Sequence, residues 1–153
     1  MNKIITNSEQ ETFDWAKNFA RELKGGEVIG LIGDLGAGKT VFAKGLAEGL
    51  GIKKTVNSPT FVIMKIYMVK NAPARGWSAS GGKSEIRNLA HIDAYRLKSE
   101  EDIIAIGADE YFARKDTITI IEWPENIKKC LPKKTIYVNI CIKKENKRIL
   151  NKK

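Results

Sequence analysis

Residues Gly33 to Thr40 read GDLGAGKT and fit the spacing G-x-x-x-x-G-K-T, which suits a loop that wraps phosphate groups. Each residue type has a chemical reason. Gly36 and Gly38 remove side chains where backbone N–H groups must converge on an anion. Lys39 brings an ammonium to the outer phosphates, and the Thr40 hydroxyl is suited to ligate Mg²⁺. A helix opening at Lys39 adds its positive end. Such a loop also needs an acid near the metal, usually where an apolar strand ends. Glu122, directly after the run TITII, is the first candidate. Asp93, which ends LAHID, is the second. No N-K-x-D run occurs, so the common guanine-specificity signature is missing, and ATP is favoured.

The elements that must position these groups follow from periodicity. Ser8 to Leu23 predicts a helix, with Ser8 and Glu11 spaced as a capping box and Lys24-Gly25-Gly26 as its stop. Val28 to Ile32 is a short apolar run and predicts a buried strand leading into the loop. The helix after the loop runs from Lys39 to about Leu50, with Phe42, Leu46 and Leu50 on one stripe and Gly51 ending it. Phe61 to Met68, Leu89 to Ala94 and Thr117 to Ile121 predict strands, and Ser99 to Ile106 a helix with acids in its first turn. Thr135 to Ile142 alternates and can pair with Arg148 to Leu150 across a turn at Lys144 to Lys147. The order implies an α/β fold, a three-layer sandwich of the P-loop type with a mixed central sheet and antiparallel additions. Residues 1–153 read as one such domain. Between Val69 and Asn88 the chain has no period and is rich in Gly, Ser, Ala and Pro, which predicts a mobile loop insertion at 69–88. Trp77 within it is either a partner contact or an exposed aromatic without a role.

Composition narrows the class. The chain has 153 residues, 42% hydrophobic and 29% charged, ordinary values for a globular protein. No run of about 18 apolar residues occurs, so no membrane span is expected, and Met1 to Ile5 has no signal-peptide core behind it. Cys130 and Cys141 match no metal or redox spacing and are expected to be buried reduced thiols of a cytoplasmic protein. The net charge is +9, and residues 127–153, with ten Lys/Arg and one acid, carry all of it. That region is either a basic patch for RNA or an acidic partner, or a mark of lysine-rich composition. Only Tyr137 interleaves its lysine pairs, which favours composition.

Four motifs occur in order: GDLGAGKT at 33–40, SPTF at Ser58–Phe61, HIDAYRL at His91–Leu97 and IEWPE at Ile121–Glu125. Together they resemble the TsaE (YjeE) family of small bacterial P-loop ATPases over nearly the whole chain. The resemblance implies Mg²⁺-dependent binding and hydrolysis of ATP, weak alone and activated by the proteins TsaB and TsaD. It implies a part in forming N6-threonylcarbamoyladenosine beside the tRNA anticodon, with tRNA met only through the complex. By the same resemblance Leu35, Gly36, Ala37, Gly38, Lys39, Thr40 and Val41 hold the nucleotide, and Thr40 and Glu122 the metal. Trp123 lies near the nucleotide, Ser58 and Thr60 form a switch that senses the γ-phosphate, and Asp93 positions water beside the catalytic Lys39. Glu9 and Arg148 flank the adenine. The chain departs from the family in Val41, where Thr is usual, in Ala94, where Leu is common, and in the long 69–88 loop.

Three residues keep plainer readings. His91 is read as a structural residue at a strand end. Arg96, like Tyr95 beside it, is divided between supporting the site and touching a partner, with a salt bridge or surface role equally open for Arg96. The alternative for the whole chain is a stand-alone P-loop small-molecule kinase, for which a lid must come from the 69–88 loop with Arg75 and Arg87.

Overall fold

The computed structural model describes residues 2–69, 86–112, 114–144 and 146–153. Seven strands form one sheet: β1 (Asn2–Thr6), β2 (Val28–Ile32), β3 (Met64–Met68), β4 (Asn88–Asp93), β5 (Thr117–Glu122), β6 (Ile136–Lys144) and β7 (Lys147–Lys152). Their spatial order is β1-β7-β6-β2-β5-β4-β3. The central strands β6, β2, β5 and β4 run parallel, while β3, β7 and β1 add antiparallel pairs at the two edges. This is the mixed α/β sandwich that the order of elements predicts.

The parallel strands read as buried on both faces. Every residue of β5 is buried, and β4 is buried from Leu89 to Asp93. Such strands need a layer on each side. One layer is α1 (Glu9–Phe19) and α2 (Lys39–Gly49), whose Phe19, Phe42 and Leu46 pack on Ile29, Leu31, Ile118 and Ile120. The other holds α3 (Glu100–Ala105) and the 3-10 segment Pro124–Cys130, where Ile103 and Ile127 meet Ile92 and Ile121. The alternation of Ile118 and Ile120 against Ile121 is the two-residue strand period dividing side chains between the two cores.

The two helices of the first layer approach to backbone contact. A Cβ built on Gly45 falls 2.2 Å from the Phe13 carbonyl oxygen, and one on Gly49 falls 2.4 Å from that of Lys17. Neither oxygen can swing away as a side chain would. The aromatic trio Trp15, Phe19 and Phe42 fills the adjoining space, with Trp15 and Phe19 stacked at 5.4 Å.

Several local expectations are refined. The strand expected from Phe61 starts only at Met64. Residues Phe61–Ile63 instead turn back, with the Val62 and Ile63 N–H groups donating to the Pro59 carbonyl, and Ile63 takes φ +65°. Leu23 lies past the helix: α1 ends at Phe19 and Ala20–Glu22 tightens to 3-10. Ser8 does accept from the Glu11 N–H, but the Glu11 carboxylate reaches the Asn7 N–H, so the capping box is half formed. Strand β1 is additional, and pairs with β7 along its whole length. Val69 donates to the Arg87 carbonyl, closing the base of the β3–β4 hairpin. The centre of the expected 69–88 loop, with Arg75 and Trp77, lies outside the described residues. Cys130 and Cys141 are free thiols, but half-buried rather than buried.

The Gly45 contact sets a test. Alanine is the better helix former by about 1 kcal/mol, yet overpacking against fixed backbone costs about 1–3 kcal/mol. Gly45→Ala is therefore expected to lower stability, read as a reduced urea midpoint, although the helix gains propensity.

Candidate functional site

Strands β2, β5 and β4 are parallel neighbours, so their carboxyl ends share one edge of the sheet. At that edge an α/β protein presents its ligand site. The loop after β2 turns through Gly36, at φ +78°, and Gly38, at φ +106°, and passes into α2. Those dihedrals are costly for residues with a Cβ. At Gly38 a Cβ would also stand 3.1 Å from the Arg148 Nε. No side chain caps α2, so its first N–H groups belong to the free end of a helix, where anions are favoured.

Lys39 is the first residue of α2 and is only 5% exposed. Its ammonium donates to the Gly33 and Asp34 carbonyls at 2.5 and 2.9 Å and stands 3.8 Å above the centre of the Trp123 ring. Burial pushes its pKa below the ordinary lysine value, while Glu122, Glu125, Asp93 and Asp34 pull the other way. Trp123 reaches this place through an uncommon backbone. It follows the last residue of β5 at φ 60° and ψ 48°, left-handed for a bulky side chain, a conformation that costs about 1–2 kcal/mol. The next residue, Pro124, opens the 3-10 segment, and the Trp123 ring meets Tyr95 at 5.1 Å.

The two acids predicted from the strand ends come together. Asp93 and Glu122 are register partners on β4 and β5, and both are nearly buried. The Thr40 hydroxyl lies 3.3 Å from Glu122 Oε1. His91 Nε2 lies 2.9 Å from the same oxygen. Asp93 faces the other way: its Oδ2 accepts from Thr60 and Ser58 at 2.7 and 3.2 Å, and its Oδ1 from the Tyr95 N–H at 3.0 Å. Ser58 and Thr60 also bond one another at 2.8 Å. The SPTF segment is thereby tied to the end of β4, leaving Phe61 exposed under the Arg96 guanidinium.

Glu9 and Arg148, which sequence treats as separate short matches, form one unit with the loop. Arg148 Nε donates to the Ala37 carbonyl at 3.1 Å and Nη2 to Glu9 Oε1 at 3.1 Å. Arg148 is 6% exposed. The Ala37 side chain is buried beneath, whereas Leu35 is 84% exposed at the tip of the loop. Val41 is half-buried on the first turn of α2, and Ala94 is fully buried in the second core. Sequence reasoning leaves Tyr95 between supporting the site and touching a partner, and misses the part of His91 by reading it as structural. The Tyr95 ring is set against Trp123, and His91 touches Glu122. Period two was the available signal for His91, since it lies two residues before Asp93 on one strand.

The residues present suit a nucleotide and Mg²⁺. Among the described residues no three His, Cys, Asp or Glu side chains cluster as a cation site. Mg²⁺, however, is commonly held by one or two protein oxygens, with phosphates and water completing the shell. Thr40 and Glu122 are two such hard oxygen donors, side by side at the helix end.

A strand entering G-x-x-x-x-G-K-T and a helix leaving it, on a largely parallel sheet, define a P-loop protein. The chain matches the family model described as "Threonylcarbamoyl adenosine biosynthesis protein TsaE" over residues 6–150, and it belongs to that family. A relative from Rickettsia bellii, named tRNA threonylcarbamoyladenosine biosynthesis protein TsaE, is 37% identical over 150 residues, covering 97% of this chain and 92% of the relative. The protein of that name from Bacillus subtilis is 39% identical over 138 residues, covering 90% and 76%. Among solved structures, Bacillus subtilis YdiB superposes with a TM-score of 0.74 at 33% identity, over 99% of this chain and 83% of that one.

The geometry ranks two substitutions. A buried hydrogen bond to a charged group contributes about 1.5–3 kcal/mol, whereas an ion pair with one largely exposed partner contributes about 0–1 kcal/mol. Glu9 is that partner, its side chain 66% exposed. Arg148→Ala is expected to lower the chemical-denaturation midpoint clearly, and Glu9→Ala hardly at all.

Proposed function

We propose that this protein binds ATP with Mg²⁺ and hydrolyses it as a component of tRNA threonylcarbamoyladenosine biosynthesis, acting in the cytoplasm with TsaB and TsaD. The family supplies the pathway. The observation that carries the nucleotide chemistry is the convergence of Lys39, Thr40, Glu122 and Asp93 at the shared ends of β2, β5 and β4. Free thiols and the lack, among the described residues, of a helix long and apolar enough to cross a membrane fit this setting.

In this reading the backbone N–H groups from Gly36 to Thr40 hold the phosphate chain. Lys39 exchanges its loop carbonyls for the outer phosphates, remaining over Trp123. Thr40 and Glu122 hold Mg²⁺, which when bound neutralises charge developing on the phosphates. Asp93 orients the attacking water, and its three donors fix the carboxylate while it does so. Ser58 and Thr60 compete for the same carboxylate, so the SPTF segment responds when a γ-phosphate draws on either hydroxyl. Slow hydrolysis alone fits a site whose water-positioning acid already accepts three hydrogen bonds. Activation by TsaB and TsaD then consists of moving that segment. The missing N-K-x-D run supports ATP over GTP.

The deciding measurement is ATP turnover by the purified protein with and without TsaB and TsaD. Slow turnover that rises with both partners is expected, and absence of ATP–Mg²⁺ binding in either condition overturns the reading. Lys39→Ala should abolish nucleotide binding in a titration. Asp93→Ala should lower hydrolysis more than ATP affinity; equal loss of both would mark Asp93 as purely structural.

Burial of Lys39 also fixes a sign. Its pKa is lowered in the free protein, and a polyphosphate beside it raises that pKa. Binding therefore takes up a proton in the pH range between the free and the bound pKa. ATP affinity is expected to fall as pH rises through the free lysine's pKa and to level off above the bound one. Titration calorimetry in buffers of different ionisation enthalpy reads that uptake directly.

A further inference from the structure

His91 is the single histidine of the chain, and it is fully buried on β4. Its neighbours Leu89, Ala90 and Ile92 are fully buried and apolar. A leucine in its place would leave no polar atom to satisfy. The imidazole leaves one, because Nδ1 is buried without a hydrogen-bond partner. What the ring gains is on its other side, where Nε2 lies 2.9 Å from Glu122 Oε1. A carboxylate only accepts, so this bond requires the proton on Nε2. The Thr40 hydroxyl reaches the same oxygen at 3.3 Å. Two donors from two different elements, β4 and the start of α2, thus converge on one carboxylate oxygen.

We propose that His91 is a positioning residue: it fixes the Glu122 carboxylate toward Thr40, so that the pair is oriented for a divalent cation before one arrives. This rests on the nucleotide–Mg²⁺ reading of the site. A partner of this kind behind a metal-holding carboxylate is worth about 10–100-fold in metal affinity. Simple core filling would give nothing of the sort, since any apolar side chain of similar volume would then serve.

The test compares His91→Leu with His91→Gln, whose amide can still donate to Glu122. The readout is the ratio of ATP affinity with Mg²⁺ to ATP affinity in EDTA, with melting temperature recorded for both variants. His91→Leu should lose about 10–100-fold of that ratio while keeping its affinity in EDTA, and His91→Gln should keep most of the ratio. An unchanged ratio in His91→Leu, or an equal fall in both variants, overturns the proposal. A second arm needs no variant. With one histidine, the ¹⁵N imidazole signals of the nucleotide-free protein are unambiguous, and they should show the proton on Nε2. A proton on Nδ1 alone overturns the proposal. Wild-type protein whose ATP affinity ignores Mg²⁺ would overturn the functional reading itself, with this role following. A normal wild-type ratio that His91→Leu also keeps would overturn the positioning role alone.

Discussion

A buried ammonium is the constraint around which this protein is arranged. A charge at 5% exposure is unfavourable unless its surroundings supply the solvation that water no longer gives. For Lys39 that supply comes from two loop carbonyls, an indole face and four acids at longer range. Each has a structural cost of its own. The carbonyls require the loop to curl through glycines in left-handed conformations. The indole requires Trp123 to leave β5 in a backbone conformation that its side chain disfavours. The acids require β4 and β5 to end level with one another. The glycine loop, the strained tryptophan and the aligned strand ends are separate solutions to one electrostatic problem.

The same edge of the sheet joins two parts of the site that face in opposite directions. Glu122 is turned toward Thr40 and α2, and Asp93 toward Ser58, Thr60 and the turn at Tyr95. The two acids sit at matching register on neighbouring parallel strands. The SPTF segment is held by the hydroxyl bonds of Ser58 and Thr60 to Asp93 and by the buried Pro59. Phe61 and Val62 are exposed, and Ile63 sits at a positive φ that a β-branched side chain resists.

Sequence carried the local part of this arrangement well. The run VIGLI followed by the glycine loop marked β2 and α2, and TITII followed by Glu marked a buried strand with an acid at its end. Those signals lie within a few residues of the groups they predict. What was not legible depends on contacts far apart in the chain. Nothing near Arg148 says that it will bond Ala37, and nothing near Trp123 announces a left-handed turn, because both are consequences of where the sheet places them. The strand Asn2–Thr6 is too short to show a pattern and is defined by its pairing with β7. Phe61–Ile63 has strand composition, yet the turn onto Pro59 and the ties to Asp93 outweigh that propensity. His91 looked structural because its partner lies on the next strand.

The clamp on the glycine loop has a consequence for how the molecule comes into being. Ala37 and Arg148 are 111 residues apart, and Glu9, which completes the unit, precedes both. During synthesis the loop and the helix after it emerge early, when β2 has neither of its sheet neighbours, β5 and β6. The guanidinium that braces the loop is carried by β7, itself held between β6 and β1. Chain growth therefore has a direction built into it: the glycine loop is begun in the first third of translation and braced by one of the last strands to appear. A ribosome that stops short of β7 releases a chain with its glycine loop unbraced and β1 without a partner.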